Sequence, residues 1–271
     1  MKIIVFGSNG MLGNYMVSYF NKTTNVVKID RTIFDAFESS NEDLLLTLQK
    51  YQSNEPTFVI NCIGIIPQRN DLDQTRKYIK INSLFPHLLA NCCEKLNYKM
   101  IHVSTDCVYD GKTGNYNENS VHDETNIYGI SKSLGEPTNC CVIRTSIIGE
   151  EINNKKSLLE WVRSQNNKEI GGFTNHFWNG VTCLQLAKII NYMLINNIYW
   201  QGVKHIFSPN IVSKYQLIKD IIKIYDLNII VKENFTPQTV DKTLTSIYPN
   251  FITIPTIREQ IEDLQVFELE K

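Results

Sequence analysis

The stretch KIIVFGSNGMLG, residues 2–13, constrains the fold more than any other. Residues 2–6 form a continuous apolar run, which reads as a strand buried on both faces. Gly7, Gly10 and Gly13 follow at once, and apolar positions from Met11 to Phe20 recur at helical spacing. A buried strand that turns tightly into a helix opens a parallel α/β sheet. The first glycine permits the bend, the second admits a pyrophosphate close to the backbone, and the third lets helix pack on strand, with the anion at the helix N-terminus. Gly7, Asn9, Gly10, Met11, Leu12 and Gly13 are therefore the expected cofactor loop, joined by Cys62 and Gly64 after the third strand.

Further apolar runs at 26–29, 57–62, 99–104 and 140–145 alternate with segments such as 73–97 that carry helical periodicity. The predicted class is α/β, a Rossmann-type doubly wound parallel sheet with a smaller, mostly C-terminal lobe. After Thr145 the alternation weakens. Residues 157–165, 184–194 and 214–225 read as helices, 229–231 as a short strand and 173–182 as an aromatic-rich loop, while Pro249 and Pro255 limit regular structure in the tail. The expected division is a dinucleotide-binding domain over 1–150, joined by a helix and strand from about 181–207. Residues 151–180 and 208–271 then form the substrate-binding lobe.

A formal net charge of −1, with Lys and Arg scattered along 271 residues, suggests neither nucleic acid nor an anionic membrane as partner. The apolar start is too short for a signal-peptide core, and no run reaches about 18 apolar residues, so a cytoplasmic protein is expected. Seven cysteines without CxxC spacing fit reduced thiols and no metal site.

Asp30 and Arg31 end the second strand. An acidic side chain there holds a ribose 2′-hydroxyl and a basic one a 2′-phosphate; Arg31 favours NADPH, and Asp30 keeps NADH possible. In YGISK, Tyr128 and Lys132 are four apart and share a helix face. The lysine ammonium is expected to favour the phenolate and bring Tyr128 toward neutral working range. Thr105 then binds a substrate carbonyl, Tyr128 delivers the proton and NAD(P)H the hydride. Asp106, Asn175, Trp178, Asn179 and Thr182 are the expected substrate contacts, with Gln68 and Arg69 as further candidates. Arg144 reads as a strand-end charge bridging to a neighbour.

Five stretches, GSNGMLG, NCIG (61–64), STDCVYDG (104–111), YGISKSLGE (128–136) and VIRTSIIG (142–149), together resemble the dTDP-4-dehydrorhamnose reductase branch of the extended short-chain dehydrogenase/reductase superfamily. The resemblance covers residues 1–150 well and extends less specifically through TNHFWNGVT and beyond. It implies a cytoplasmic, often dimeric NAD(P)H reductase of the 4-keto group of a nucleotide-linked 6-deoxyhexose, UDP- or dTDP-linked, with or without a 2-acetamido group. The branch usually has tyrosine after Thr-Asp, and related 4,6-dehydratases have a glutamate; Cys107 here resembles bifunctional enzymes such as GDP-fucose synthase and the rhamnose synthases, which epimerise at C3, C5 or both before reducing. Cys107, its thiol pKa lowered by nearby positive charge, and His176 are the expected proton carriers. Two alternatives stand beside this: a monofunctional reductase in which Cys107 fills space, and a non-catalytic NADP-binding subunit like the regulatory β subunit of methionine adenosyltransferase.

Overall fold

Each long apolar run becomes a strand because its alternate side chains find a helix layer on both sides. In the computed structural model, which describes residues 1–67, 74–152, 155 and 157–269, β1 (Lys2–Phe6) leads through α1 (Met11–Phe20), β2 (Val26–Ile29) and α2 (Asn41–Gln49) to β3 (Thr57–Asn61). Next, α3 (Gln74–Lys77) runs through a π-helical segment, Tyr78–Leu84, into α4 (Phe85–Lys95), followed by β4 (Lys99–Thr105), α5 (Ile127–Ser133) and β5 (Cys141–Thr145). Then come β6 (Ile147–Ile148), α6 (Leu158–Ser164), β7 (Glu169–Phe173), β8 (His176–Trp178), β9 (Val181–Thr182) and α7 (Cys183–Ile195). The chain closes with β10 (Gly202–His205), β11 (Val212–Ser213), α8 (Lys214–Ile224), β12 (Ile230–Asn234), β13 (Val240–Asp241) and α9 (Ile257–Gln265).

Six parallel strands in the order β10-β5-β4-β3-β1-β2 form the doubly wound Rossmann-type sheet. Ile3 and Val5 face a core completed by Tyr15 and Met16 of α1 and Ile190 of α7. Ile4 and Phe6 face the opposite one, with Leu44 of α2 and Phe85 and Leu89 of α4. Period-two alternation thus buries both faces. The strand order reverses at β1 and β3, where α/β sheets open a crevice beyond their carboxyl ends. Register aligns that edge: Phe6 pairs with Asn61, and Thr105 with Thr145.

Two expectations need correction. Residues 173–182 are not a plain loop, because β8 pairs with β11 and β13, and β9 with β6, all partners distant in sequence. The tail also holds a helix. Thr256, directly after Pro255, forms a capping box with Glu259, and α9 buries Ile257, Ile261 and Leu264. A proline just ahead of an N-cap starts a helix instead of stopping one. All seven cysteines are free, and no helix among the described residues is long and apolar enough to cross a membrane.

Candidate active site

At the sheet's carboxyl edge the glycine turn is shaped to leave room. Gly7 takes φ +76°, and a Cβ on Gly13 would lie 2.0 Å from the Gly7 carbonyl oxygen. Only hydrogen fits there. Helix α1 starts at Gly10 with no side-chain cap and no acidic residue in its first turn. By contrast α2, α5, α6, α7, α8 and α9 are capped by Ser40, Asn126, Ser157, Thr182, Ser213 and Thr256. Ser8, buried in the same turn, has a hydroxyl with no partner. Unmet N–H donors and an orphaned hydroxyl beside a helix N-terminus fit the pyrophosphate of a dinucleotide. Ser8 was not among the expected residues, although its place inside the glycine motif is a usable signal.

The other cofactor candidates divide. Asp30 accepts hydrogen bonds from the Thr32 hydroxyl at 2.6 Å and from Asn9 Nδ2 at 3.1 Å, and these, the Thr32 hydroxyl foremost, hold its carboxyl below the ordinary range. It thus lies against the glycine turn. Arg31 is exposed and its Nε pairs with Asp35 Oδ2 at 2.7 Å. Leu12 points into the core and Met11 is half-buried beside it, so these two offer backbone, not side chain. Cys62 follows β3 with its thiol pushed up by burial. Gly64 lies close to α5: a Cβ on it would sit 3.8 Å from Lys132 Nζ. Gln68 and Arg69 lie outside the described residues.

Thr105 ends β4, and a short 3-10 turn, Asp106–Val108, follows. Thr105 Oγ1 accepts from the Cys107 N–H at 3.1 Å and donates to Asp106 Oδ1 at 3.2 Å. Helix α5 presses against this turn. A Cβ on Gly129 would lie 2.4 Å from the Cys107 carbonyl, and the contact brings the Tyr128 hydroxyl into a hydrogen bond with Thr105. One turn on, Lys132 is buried and its Nζ donates to the Val103 carbonyl at 3.1 Å. Thr105 and Tyr128 are thus joined by a hydrogen bond, and Lys132 lies one helical turn on with its ammonium on the Val103 carbonyl.

The protonation states of these groups differ from expectation. Burial, with the neighbouring Cys107 next in weight, raises the Tyr128 phenol instead of lowering it, so Tyr128 rests as a proton donor. Burial lowers Lys132 to about 8. The Cys107 thiol is pushed up to about 12, first by burial and then by Asp106. Lys242 acts in the opposite sense but does not prevail, so the expected lowering is wrong. Asp106, fully enclosed, is itself raised by burial.

Behind Thr105, Tyr128 and Lys132 lies a scaffold only partly foreseen. Asn82 in the π-helical segment bonds both the Ile65 backbone and Ser131 Oγ at 3.1 Å, and Ser83 Oγ donates to the Ser131 carbonyl at 2.8 Å. Arg144 does bridge from its strand, but completely buried: it reaches Glu136 at 2.6 Å, the Tyr109 hydroxyl at 2.6 Å and His205 Nε2 at 2.9 Å.

The expected substrate segment is largely closed on itself. Asn175 Nδ2 donates to the Thr236 carbonyl at 2.8 Å while its Oδ1 accepts from Thr236. Asn179 pairs in both directions with the Leu244 backbone, at 2.8 and 2.9 Å. Thr182 caps α7. All three are buried, and their polar groups are engaged in holding the lobe together. Trp178 is also buried, beneath the Lys214 ammonium. His176 stacks on Phe173 with ring centroids 4.2 Å apart and shares a 2.9 Å hydrogen bond with Thr236 Oγ1. It makes no direct hydrogen bond to Cys107; their common neighbour is Lys214, whose charge acts on both.

Comparison with known proteins agrees with this architecture. The model of the RmlD substrate binding domain family matches residues 1–250. A dTDP-4-dehydrorhamnose reductase of Aggregatibacter actinomycetemcomitans is 25% identical over 271 aligned residues, covering 94% of this chain and 88% of that one. A dTDP-4-keto-6-deoxy-D-glucose reductase of Streptomyces niveus is 27% identical over 152 residues, 53% of this chain and 51% of that one. The fold is shared with the dTDP-4-dehydrorhamnose reductase of Bacillus anthracis solved in complex with NADP, at TM-score 0.81, 19% identity and coverage of 97% and 98%.

Proposed function

This chain belongs to the RmlD substrate binding domain family, and from that premise we propose that it reduces the 4-keto group of a nucleotide-linked 6-deoxyhexos-4-ulose in deoxysugar biosynthesis, using NADPH. The observation that carries this reading is the Tyr128–Thr105 hydrogen bond with Lys132 one helical turn on, in a sheet whose first glycine turn opens an uncapped helix. The names of the two curated relatives support a 4-ketosugar substrate, and the NADP in the Bacillus anthracis structure supports the cofactor. Arg31, on leaving Asp35, is the residue for a 2′-phosphate; Asp30 serves NADH.

With its pyrophosphate held at the glycine turn, NADPH would supply a hydride from its nicotinamide to the sugar's C4. Tyr128 gives its phenolic proton to O4, so the carbonyl becomes an alcohol and the phenol a phenolate. Thr105 turns its hydroxyl from Asp106 to O4, and the Lys132 ammonium offsets the phenolate charge. Residues 151–180 and 208–271 receive the sugar nucleotide, dTDP- or UDP-linked, in a homodimeric cytoplasmic enzyme.

Inversion at C3, C5 or both precedes reduction in this reading. A protonated Cys107 thiol suits the step that adds a proton. His176, which partial burial and then Lys214 keep below its ordinary pKa, suits the step that removes one. The imidazole takes the α-proton, the electron pair moves into an enolate at O4 held by Thr105 and Tyr128, and Cys107 protonates the carbon from the other face. Proton return from imidazolium to thiolate through solvent closes the cycle.

The test is a panel of dTDP- and UDP-linked 4-keto-6-deoxyhexoses, with and without a 2-acetamido group, incubated with NADPH and followed by absorbance and NMR of the product. Oxidation with alcohol formation supports the reductase, and none with any member rejects it. In D2O, Cys107→Ser should abolish inversion at C3 and C5 and leave any deuterium that His176 returns on the original face; undiminished inversion rejects Cys107 as a proton carrier, and a wild type that neither exchanges nor inverts leaves the monofunctional reductase.

A further inference from the structure

Lys214 opens α8, fixed there by β11, whose Val212 pairs with Trp178 and Ser213 with Phe177 of β8. Its Nζ stands 5.3 Å from the centroid of the Trp178 ring. The charge of this lysine acts on Asp106, Cys107 and His176, groups that come from both lobes around the reactive turn. Lys242 also acts on Asp106 and Cys107, but it is paired with Glu124 at 3.1 Å. Lys214 makes no ion pair and no hydrogen bond among the described residues.

That placement is unfavourable in two independent ways. The half-buried ammonium gives up part of its hydration, and the Asp106 carboxylate that acts on it forms no ion pair with it. A cation at the first position of a helix also faces the positive end of the helix dipole. The Trp178 face offsets only part of this. A ligand that brings negative charge removes both penalties. We infer that Lys214 is a substrate-binding residue that takes an oxyanion of the nucleotide sugar. The inference rests on reading this cleft as a nucleotide-sugar site. Two parts of such a substrate carry that chemistry: the diphosphate, charged throughout, and the sugar oxygen on which charge develops as the keto group reacts.

Lys214→Met and Lys214→Arg separate them. UDP and dTDP, titrated calorimetrically into the protein without any turnover, probe the diphosphate; NADPH oxidation with a 4-ketosugar nucleotide probes the reacting oxygen. If the diphosphate is the partner, Lys214→Met weakens UDP and dTDP binding by about 10- to 100-fold and Lys214→Arg restores most of it. If the reacting oxygen is the partner, nucleotide binding stays unchanged while kcat falls by at least about tenfold, again with recovery in Lys214→Arg. The inference is overturned if Lys214→Met alters neither quantity or lowers only the melting temperature. It is equally overturned if the kcat loss vanishes in an Asp106→Asn background, because Lys214 would then act through Asp106. A wild-type protein that binds UDP or dTDP but oxidises no NADPH with any 4-ketosugar rejects the reductase, while the calorimetric arm still decides on Lys214.

Discussion

In the glycine turn the Ser8 hydroxyl has no partner among the described residues and α1 no side-chain cap, whereas the polar side chains of Asn175, Asn179 and Thr182 are all engaged by neighbouring segments. Asn175, Asn179 and Thr182 meet the backbone at Thr236, Leu244 and Gln185. Buried polar groups are normally paired, so an open one beside an uncapped helix N-terminus marks a candidate ligand contact and a fully engaged one marks scaffold. Lys214 is the exception on the substrate side, and for that reason it carries the binding inference there.

Three changes break or sharpen this contrast, in order of expected size. Gly13→Ala forces a methyl group against the Gly7 carbonyl and closes the open turn. NADPH affinity, read by fluorescence titration, should fall about 10- to 100-fold, the equivalent of 1–3 kcal/mol of overpacking. Unchanged affinity would mean that the turn is not the cofactor cradle.

Asn179→Ala attacks the closed side. It strips the Leu244 backbone of both partners and should lower stability in denaturant by about 1–3 kcal/mol, with KM for the sugar nucleotide within about threefold of wild type. A large rise in KM without loss of stability would return Asn179 to the substrate.

The smallest effect is a pH dependence at Lys132, where both regions meet. Its ammonium, ordinarily near 10.5, is lowered to about 8 by burial. It is charged below that pH and loses its charge above it, so kcat/KM should fall as pH rises through about 8, by up to about tenfold per pH unit. Stability carries the opposite sign. Between pH 8 and 10.5 the unfolded chain holds the proton that the folded one has released, so this group makes the fold more stable as pH rises. Lys132→Arg should move the activity limb above the range; a limb that stays near 8 would assign it to another group.

Much of the first half was legible because its signals are local. β1, the glycines, β3, β4 and the Tyr128–Lys132 spacing each lie within a few residues, and parallel pairing of buried runs follows from composition. The substrate side was not, since β8 acquires strand character only from Val212, Ser213, Val240 and Asp241. Helix α9 was legible in TIRE, the Thr256-x-x-Glu259 box, but Pro255 read as a stop signal outweighed it. At Cys107 the neighbouring charges were foreseen in kind, Lys242 and Lys214, yet burial and Asp106 outweigh them, and burial is a property of the assembled fold. Lys214 gave no local sign: an amphipathic helix with a lysine at its start reads as solvated surface.

The central claim is that Tyr128 donates the proton for a reduction at sugar C4. NADPH carrying deuterium on the transferable face of nicotinamide C4 tests it most directly, with the product of a 4-ketosugar nucleotide read by NMR. Wild type should place one deuterium on sugar C4 per cofactor oxidised, and Tyr128→Phe, binding NADPH as tightly, should transfer it about 10²–10⁴-fold more slowly. Tight NADPH binding by the wild type with no label in any ketosugar, or equal transfer by Tyr128→Phe, would contradict the account.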